Sequence, residues 1–152
     1  MKLEKMPQDK FKEYLDIAIS EYAEDKIKAG TWAESEALGL AEKSFTDLLP
    51  DGPDTKDNYL FSIFIPESAE DIGVIWINVT EQKGFIYDFL INAEYRGKGY
   101  GKQTLLLIEE WGRKHGLEEI GLHVFAHNQS AYQLYKKMGY LETDITMVRQ
   151  LK

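Results

Sequence analysis

Arg96-Gly97-Lys98-Gly99-Tyr100-Gly101 is the stretch whose reading decides the fold. It follows the apolar run Phe85 to Ile91 and opens the amphipathic segment Lys102 to Trp111, so three glycines stand where a strand passes into a helix. Glycine lets the backbone adopt left-handed angles and come close to a ligand. The first N–H groups of the new helix point outward unpaired, with the positive end of the helix dipole behind them. Such a place binds anions, and Arg96, Lys98 and Lys102 add cationic charge around it. Two familiar phosphate motifs do not fit. A Walker loop needs four residues between its first glycine and a Gly-Lys-Ser/Thr, and the dinucleotide fingerprint needs a third glycine where Lys102 or Thr104 stands.

The pattern that fits is Arg/Gln-x-x-Gly-x-Gly/Ala. A second segment, Asn128-Gln129-Ser130-Ala131-Tyr132-Gln133-Leu134-Tyr135-Lys136-Lys137-Met138-Gly139-Tyr140, follows after an expected helix over about 102–114 and strand over about 119–125. With both segments in this order, the chain resembles the GNAT superfamily of acetyl-CoA-dependent N-acetyltransferases, whose later motif reads Asn-x-x-Ala-x-x-x-Tyr-x-x-x-Gly-Phe/Tyr. The resemblance runs over nearly the whole chain. It implies an α/β fold with a mixed, mostly antiparallel sheet splayed between its fourth and fifth strands and flanked by about four helices.

Periodicity and punctuation place the remaining elements. A short strand spans Lys2 to Lys5, and a helix from Gln8 to Lys28 buries Phe11, Tyr14, Leu15, Ala18 and Tyr22, ending at Gly30. Thr31 and Glu34 then suit a capping box for a second helix with Leu38, Ala41, Phe45 and Leu48 inward, stopped by Pro50. Tyr59 to Ile65, Asp71 to Val79 and Gly84 to Ile91 read as an antiparallel meander. Beyond the glycine run come a helix capped by Gly116, a strand Glu119 to Phe125, a helix Ser130 to Met138 capped by Gly139, and a final strand or hairpin from Leu141 to Leu151.

A length of 152 residues suits a single domain, 1–152, able to bury roughly 70% of its unfolded surface. The segment Pro50 to Asp57 is a loop, too short to separate domains. The chain has no cysteine, so it offers no thiol nucleophile, no thiolate metal site and no disulfide. No stretch reaches the length of a membrane span and the N-terminus has no signal-peptide core, so the expected location is the cytoplasm. Residues 1–80 hold 8 Lys and Arg against 17 Asp and Glu, whereas residues 81–152 hold 10 against 9. An acidic face repels nucleic acid and can attract a cationic amine; it is equally what an ordinary solvated surface looks like.

The resemblance assigns roles to particular residues. The amides of Gly97, Lys98, Gly99, Tyr100, Gly101 and Lys102, with Arg96, would hold the pyrophosphate of acetyl-CoA, and the main chain of Phe89, Leu90 and Ile91 would pair with its pantetheine arm. Asn128 would bond that arm, cap a helix, or do both. Tyr135 aligns with the tyrosine that protonates the departing thiolate; a phenol with a pKa near 10 suits the task, and packing on a helix face is the other reading. Many relatives carry a glutamate as base where His123 stands. An imidazole can accept a proton there, or be merely a hydrogen-bonded residue of the sheet. Asp88 is the rival base, a carboxylate interrupting an apolar strand, unless it makes only a structural hydrogen bond. His123 and His127 stand four apart on a strand and its exit loop with no third ligand near, so no metal site is expected. Trp32, Tyr22, Glu21, Glu24 and Asp25 fall on the helix-turn-helix that the resemblance places over the acceptor side.

The expected function is therefore transfer of an acetyl group from acetyl-CoA to a primary amine, small molecule or peptide, by direct attack in a ternary complex. The alternative is a catalytically silent CoA-binding sensor or interaction module of the same fold. No nucleic-acid or membrane partner is expected, and a strand-edge homodimer is common in folds of this kind.

Overall fold

The computed structural model describes residues 1–152. Strand β1 (Lys2–Lys5) leads into helices α1 (Gln8–Lys28) and α2 (Ala37–Leu48). Strands β2 (Asn58–Ile65), β3 (Glu70–Thr80) and β4 (Lys83–Ile91) follow, then α3 (Tyr100–Lys114), β5 (Glu119–Leu122) and α4 (Gln129–Lys137). The sheet order is β1-β2-β3-β4-β5, antiparallel except for the parallel β4–β5 pair. No helix is long and apolar enough to cross a membrane.

Alternation along the strands gives the sheet two apolar faces, each covered by a helix pair. Leu60, Val74 and Trp76 pack with Phe11 and Ala18 of α1 and Phe45 of α2. Ile63, Ile75, Ile77 and Ile86 pack with Leu105 and Ile108 of α3 and Tyr135 of α4. Strands buried on both faces read as nearly continuous apolar runs, which is how β2, β3 and β4 appear in the sequence.

Three helices stop by the same device. Gly30, Gly116 and Gly139 lie just past α1, α3 and α4 with φ of 74°, 75° and 93°. After α1, the Gly30 N–H bonds Ile27 O at 2.9 Å and the Thr31 N–H bonds Lys26 O at 3.0 Å, the paired return bonds of a Schellman ending. This overturns the expected capping box. Thr31 is consumed in finishing α1, and α2 begins at Ala37 behind Glu36 with no side-chain cap. The inward face of α2 also differs, because Ala37, Ala41 and Phe45 are buried while Leu38 is 56% exposed. Small residues decide this register: Ala37 and Ala41 meet Ala23 of α1, a contact that longer side chains would hold apart. Leu48, expected inward, instead borders the cavity described below.

Two other expectations change. The fifth strand ends at Leu122, with residues 123–125 outside the ladder, and residues 141–152 form neither strand nor hairpin.

Candidate active site

The opening in the sheet follows from how β4 is paired. On one side, Trp76 opposes Asp88 while Ile77 opposes Ile86, so Tyr87 is an extra residue in β4 and the ladder is bulged there. On the other side, β5 pairs with β4 only from Lys83↔Glu119 to Ile86↔Leu122. From Tyr87 to Ile91 the β4 edge therefore has no strand beside it. A bulge bends its strand and re-aims side chains. Here it puts Tyr87 and Asp88 on the same side, facing α1 and α2, where strict alternation would have sent Asp88 toward α3 with Ile86.

A cavity of ≈ 410 Å³ occupies this splay, floored by β4 and β5 and roofed by α1 and α2. Its lining brings together Asp88, His123 and Tyr135, along with Phe89, Leu90 and Asn128. Ile91 lies outside it, as do Arg96 and the glycine run. The three candidates for proton transfer thus share one space, although 47 residues separate Asp88 from Tyr135 in the chain.

Asp88 accepts a hydrogen bond from the Tyr14 hydroxyl at 2.7 Å. Burial raises its carboxyl pKa; the Tyr14 hydroxyl and the Phe89 backbone pull the other way. Tyr14, outside the cavity lining, is a partner of Asp88 that sequence reasoning misses. Its only signal there is a phenol on the buried stripe of α1, and no local pattern shows which strand residue it meets. Burial and the nearby Asp88 charge push the Tyr135 phenol up to about 12, so it stays protonated. Burial and the Lys26 ammonium lower the His123 pKa, which favours its neutral form.

The α1 wall of the cavity is acidic and aromatic. Glu21 and Asp25 of α1 join Asp88 along the lining with Tyr22 and Phe125. Burial raises the Glu21 pKa, and the Asp88 and Asp25 charges raise it further. Trp32 stands edge-on to Tyr22 at 5.4 Å, buttressing that wall from behind, whereas Glu24 is exposed away from the cavity. His127 bonds Asp25 at 2.8 Å and stacks on Phe125, which ties α1 to the loop leaving β5.

The glycine run is built as its composition implies. Gly97 and Gly99 have φ of 75° and 85°, and no N–H from Gly97 to Lys102 donates to a backbone acceptor. A cluster of unpaired amides at the start of a 15-residue helix suits an anion. Arg96 is held in place, its Nε donating to Ile91 O at 2.7 Å. Gly101 has a packing role as well, since a Cβ there would stand 3.0 Å from Leu134 of α4. Asn128 caps α4, its side-chain oxygen accepting from the Ala131 N–H at 3.3 Å, which leaves its amide NH₂ for the cavity.

Residues 16–140 match the Acetyltransferase (GNAT) family. The chain is 42% identical over 150 residues to the uncharacterized N-acetyltransferase YycN of Bacillus subtilis, covering 96% of each chain, and 35% identical to YdgE of the same organism, covering 98% and 97%. The crystal structure of YycN is similar with a TM-score of 0.95 at 41% identity, over 99% of this chain and 98% of that one. The PaiA N-acetyltransferase of Thermoplasma acidophilum, solved in complex with coenzyme A, matches in fold with a TM-score of 0.71 at 19% identity, over 95% and 92%. Splayed parallel strands, a glycine-rich helix start and these relatives agree: the chain belongs to the acetyltransferase (GNAT) family.

Proposed function

We propose that this chain, acting as one domain, transfers the acetyl group of acetyl-CoA to a cationic primary amine by direct attack in a ternary complex. The observation that carries this reading is that Asp88 and Tyr135 face one cavity where β4 and β5 diverge. Acetyl-CoA brings the activated acyl group as a thioester. The residues present fit that cosubstrate: the N–H groups of Gly97 to Lys102 lack acceptors, and the β4 edge from Tyr87 to Ile91 lacks a strand. The cradle would hold the pyrophosphate, Arg96, Lys98 and Lys102 would balance its charge, and the main chain of Phe89 to Ile91 would pair with the amide-bearing arm as an added strand does. One N–H of that segment would polarise the thioester carbonyl.

Glu21 and Asp25 attract the ammonium form of the acceptor. Asp88 takes a proton from it, directly or through water, because a carboxyl with a raised pKa is a stronger base than an ordinary one. Tyr135, still protonated, donates to the departing sulfur. His123 lines the same cavity just past β5, its pKa lowered toward the neutral form, and substituting it separately distinguishes the two bases. With no cysteine in the chain, no thiol carries the acyl group.

The test is steady-state transfer to a panel of di- and polyamines, amino sugars and peptides, with calorimetric titration of CoA. Intersecting double-reciprocal lines, and an ascending pH limb lost in Asp88→Asn but kept in His123→Gln, are expected. Parallel lines with a trapped acetyl-enzyme would overturn direct attack. CoA binding without transfer to any amine would instead identify a silent binding module.

A further inference from the structure

Beside its acidic wall, the cavity has an end made of rings. Trp76 is 2% exposed, and its indole Nε1 donates to Asn58 Oδ1 at 2.8 Å, which fixes the ring. Tyr87 stacks on it with centroids 4.9 Å apart and planes 29° from parallel, and Phe85 stands edge-on to Tyr87 at 4.9 Å. All three rings line the cavity. The stack starts in the core and stops unfinished, since Tyr87 is 43% exposed and Phe85 36%. Phe85 leans over β5, its ring 3.5 Å from where a Cβ on Gly121 would stand, so that glycine leaves it room. Aromatic rings ordinarily complete such a stack with a further ring.

The bulge in β4 joins these rings to the proposed chemistry. In a regular strand Tyr87 and Asp88 would face opposite sides of the sheet; here they share one, which sets an aromatic ring directly beside the carboxyl. Phe85 lies three residues from Asp88, about 10 Å along the strand. Charge is divided along the same line. Glu21, Asp25 and Asp88 gather near enough that the charges of Asp88 and Asp25 raise the Glu21 pKa. Those are the only carboxylates of the lining, so past Tyr87 toward Phe85 there is none. The Ser44 hydroxyl of α2 already donates to Leu40 O at 2.9 Å. Lys26, the one ammonium of the lining, rests over Tyr22 and Trp32 at 5.6 and 5.1 Å, on the α1 wall.

We infer that the acceptor is an arylalkylamine: one primary ammonium held at the carboxylates, joined by a short chain to an aromatic ring that stacks on the exposed side of Tyr87. The assignment rests on the acetyl-transfer proposal above and adds the substrate class, with Tyr87 and Phe85 as the residues that select it. Charge and shape choose among acceptors. A second ammonium on a polyamine would lie against rings with no carboxylate to meet it. The hydroxyls of an amino sugar would lose water against apolar surface and gain few partners. A flat apolar body with a single charge at its end matches both halves of the cavity.

The test compares phenylethylamine with n-butylamine and spermidine as acceptors for the full-length protein at saturating acetyl-CoA. kcat/KM should be about tenfold or more higher for phenylethylamine than for either of the others. Tyr87→Ala should cut that preference by about fivefold or more, chiefly through KM, and Tyr87→Phe, which keeps the ring, should retain it. If Tyr87→Ala misfolds, the order of acceptors in the parent still decides. Equal use of n-butylamine, a preference for spermidine, or an aryl preference that a folded Tyr87→Ala retains would overturn the inference and leave acetyl transfer standing. Should no amine be acetylated, the transfer proposal falls, and calorimetry of phenylethylamine on the CoA-loaded protein decides the ring site separately. Heat abolished by Tyr87→Ala would uphold it, and absent or unchanged heat would overturn it.

Discussion

Asp88 sits under two opposed demands. Its burial disfavours the charge that the proposed base would need, and Tyr14 returns some of that cost through one hydrogen bond. The sign of the linkage follows. A carboxyl whose folded pKa is raised contributes stability that is fully present below its unfolded value and is lost as pH rises through the folded one. Asp88→Asn should therefore lower turnover by about 10²–10⁴-fold while melting no lower than the parent at neutral pH, with any advantage shrinking as pH falls. Calorimetric melts across pH, set beside rates, check both halves; a variant that melts lower at neutral pH would show the carboxylate to be a net structural asset. For Tyr135→Phe the expected loss is about 10²-fold in kcat with acetyl-CoA affinity retained. Because the parent phenol is pushed up to about 12, its deprotonation should leave no descending limb in the rate profile below about pH 10.

Glycine does different work at each turn. At Gly30, Gly116 and Gly139 it ends a helix, whereas at Gly99 it opens α3 with φ of 85° and nothing within 4 Å of where a Cβ would stand. Space is free there and conformation is not. Gly99→Ala should cost about 1–2 kcal/mol, read as a fall in Tm of roughly 2–8 °C. Its larger consequence should be several-fold weaker CoA binding by calorimetry, since the new methyl borders the unpaired amides. Equal affinity would remove the cradle from the binding site. The bulge at Tyr87 is the counterpart within a strand: one additional residue turns Asp88 from the α3 side of the sheet to the cavity, beside the β4 edge that β5 leaves unpaired beyond Ile86.

The formal charge of the molecule is −8, and its acidity bears on the cavity through Glu21, Asp25 and Asp88. Steering by such a field weakens as salt shortens the Debye length from about 10 Å at 0.1 M toward 3 Å at 1 M. KM for a polyamine should accordingly rise several-fold across that range, with much less change for a neutral-tailed monoamine. Initial rates with both acceptors test this, and equal responses would make the acidic face an ordinary solvated surface.

The order of elements was legible in the sequence because it is written locally: periodicity marked α1 and α3, a glycine marked the ends of α1, α3 and α4 and a proline that of α2, and apolar runs marked β2, β3 and β4. The glycine-rich start of α3 was legible for the same reason, since its glycines, the basic residues around it and the helix start are neighbours in the chain. What depended on distant contacts was not. Thr31 has the look of a cap, but the Schellman ending of α1 claims it; Leu38 has the look of a buried residue, but Ala23, Ala37 and Ala41 set the register of α2. Leu141 to Leu151 has a strand's alternation but joins no ladder in the fold. Asp88, His123 and Tyr135 each stand out in the chain, but only the bulge in β4 and the early end of β5 bring them to one cavity. A pattern of side chains reports what a segment can bury, while tertiary packing decides which surface is there to receive it.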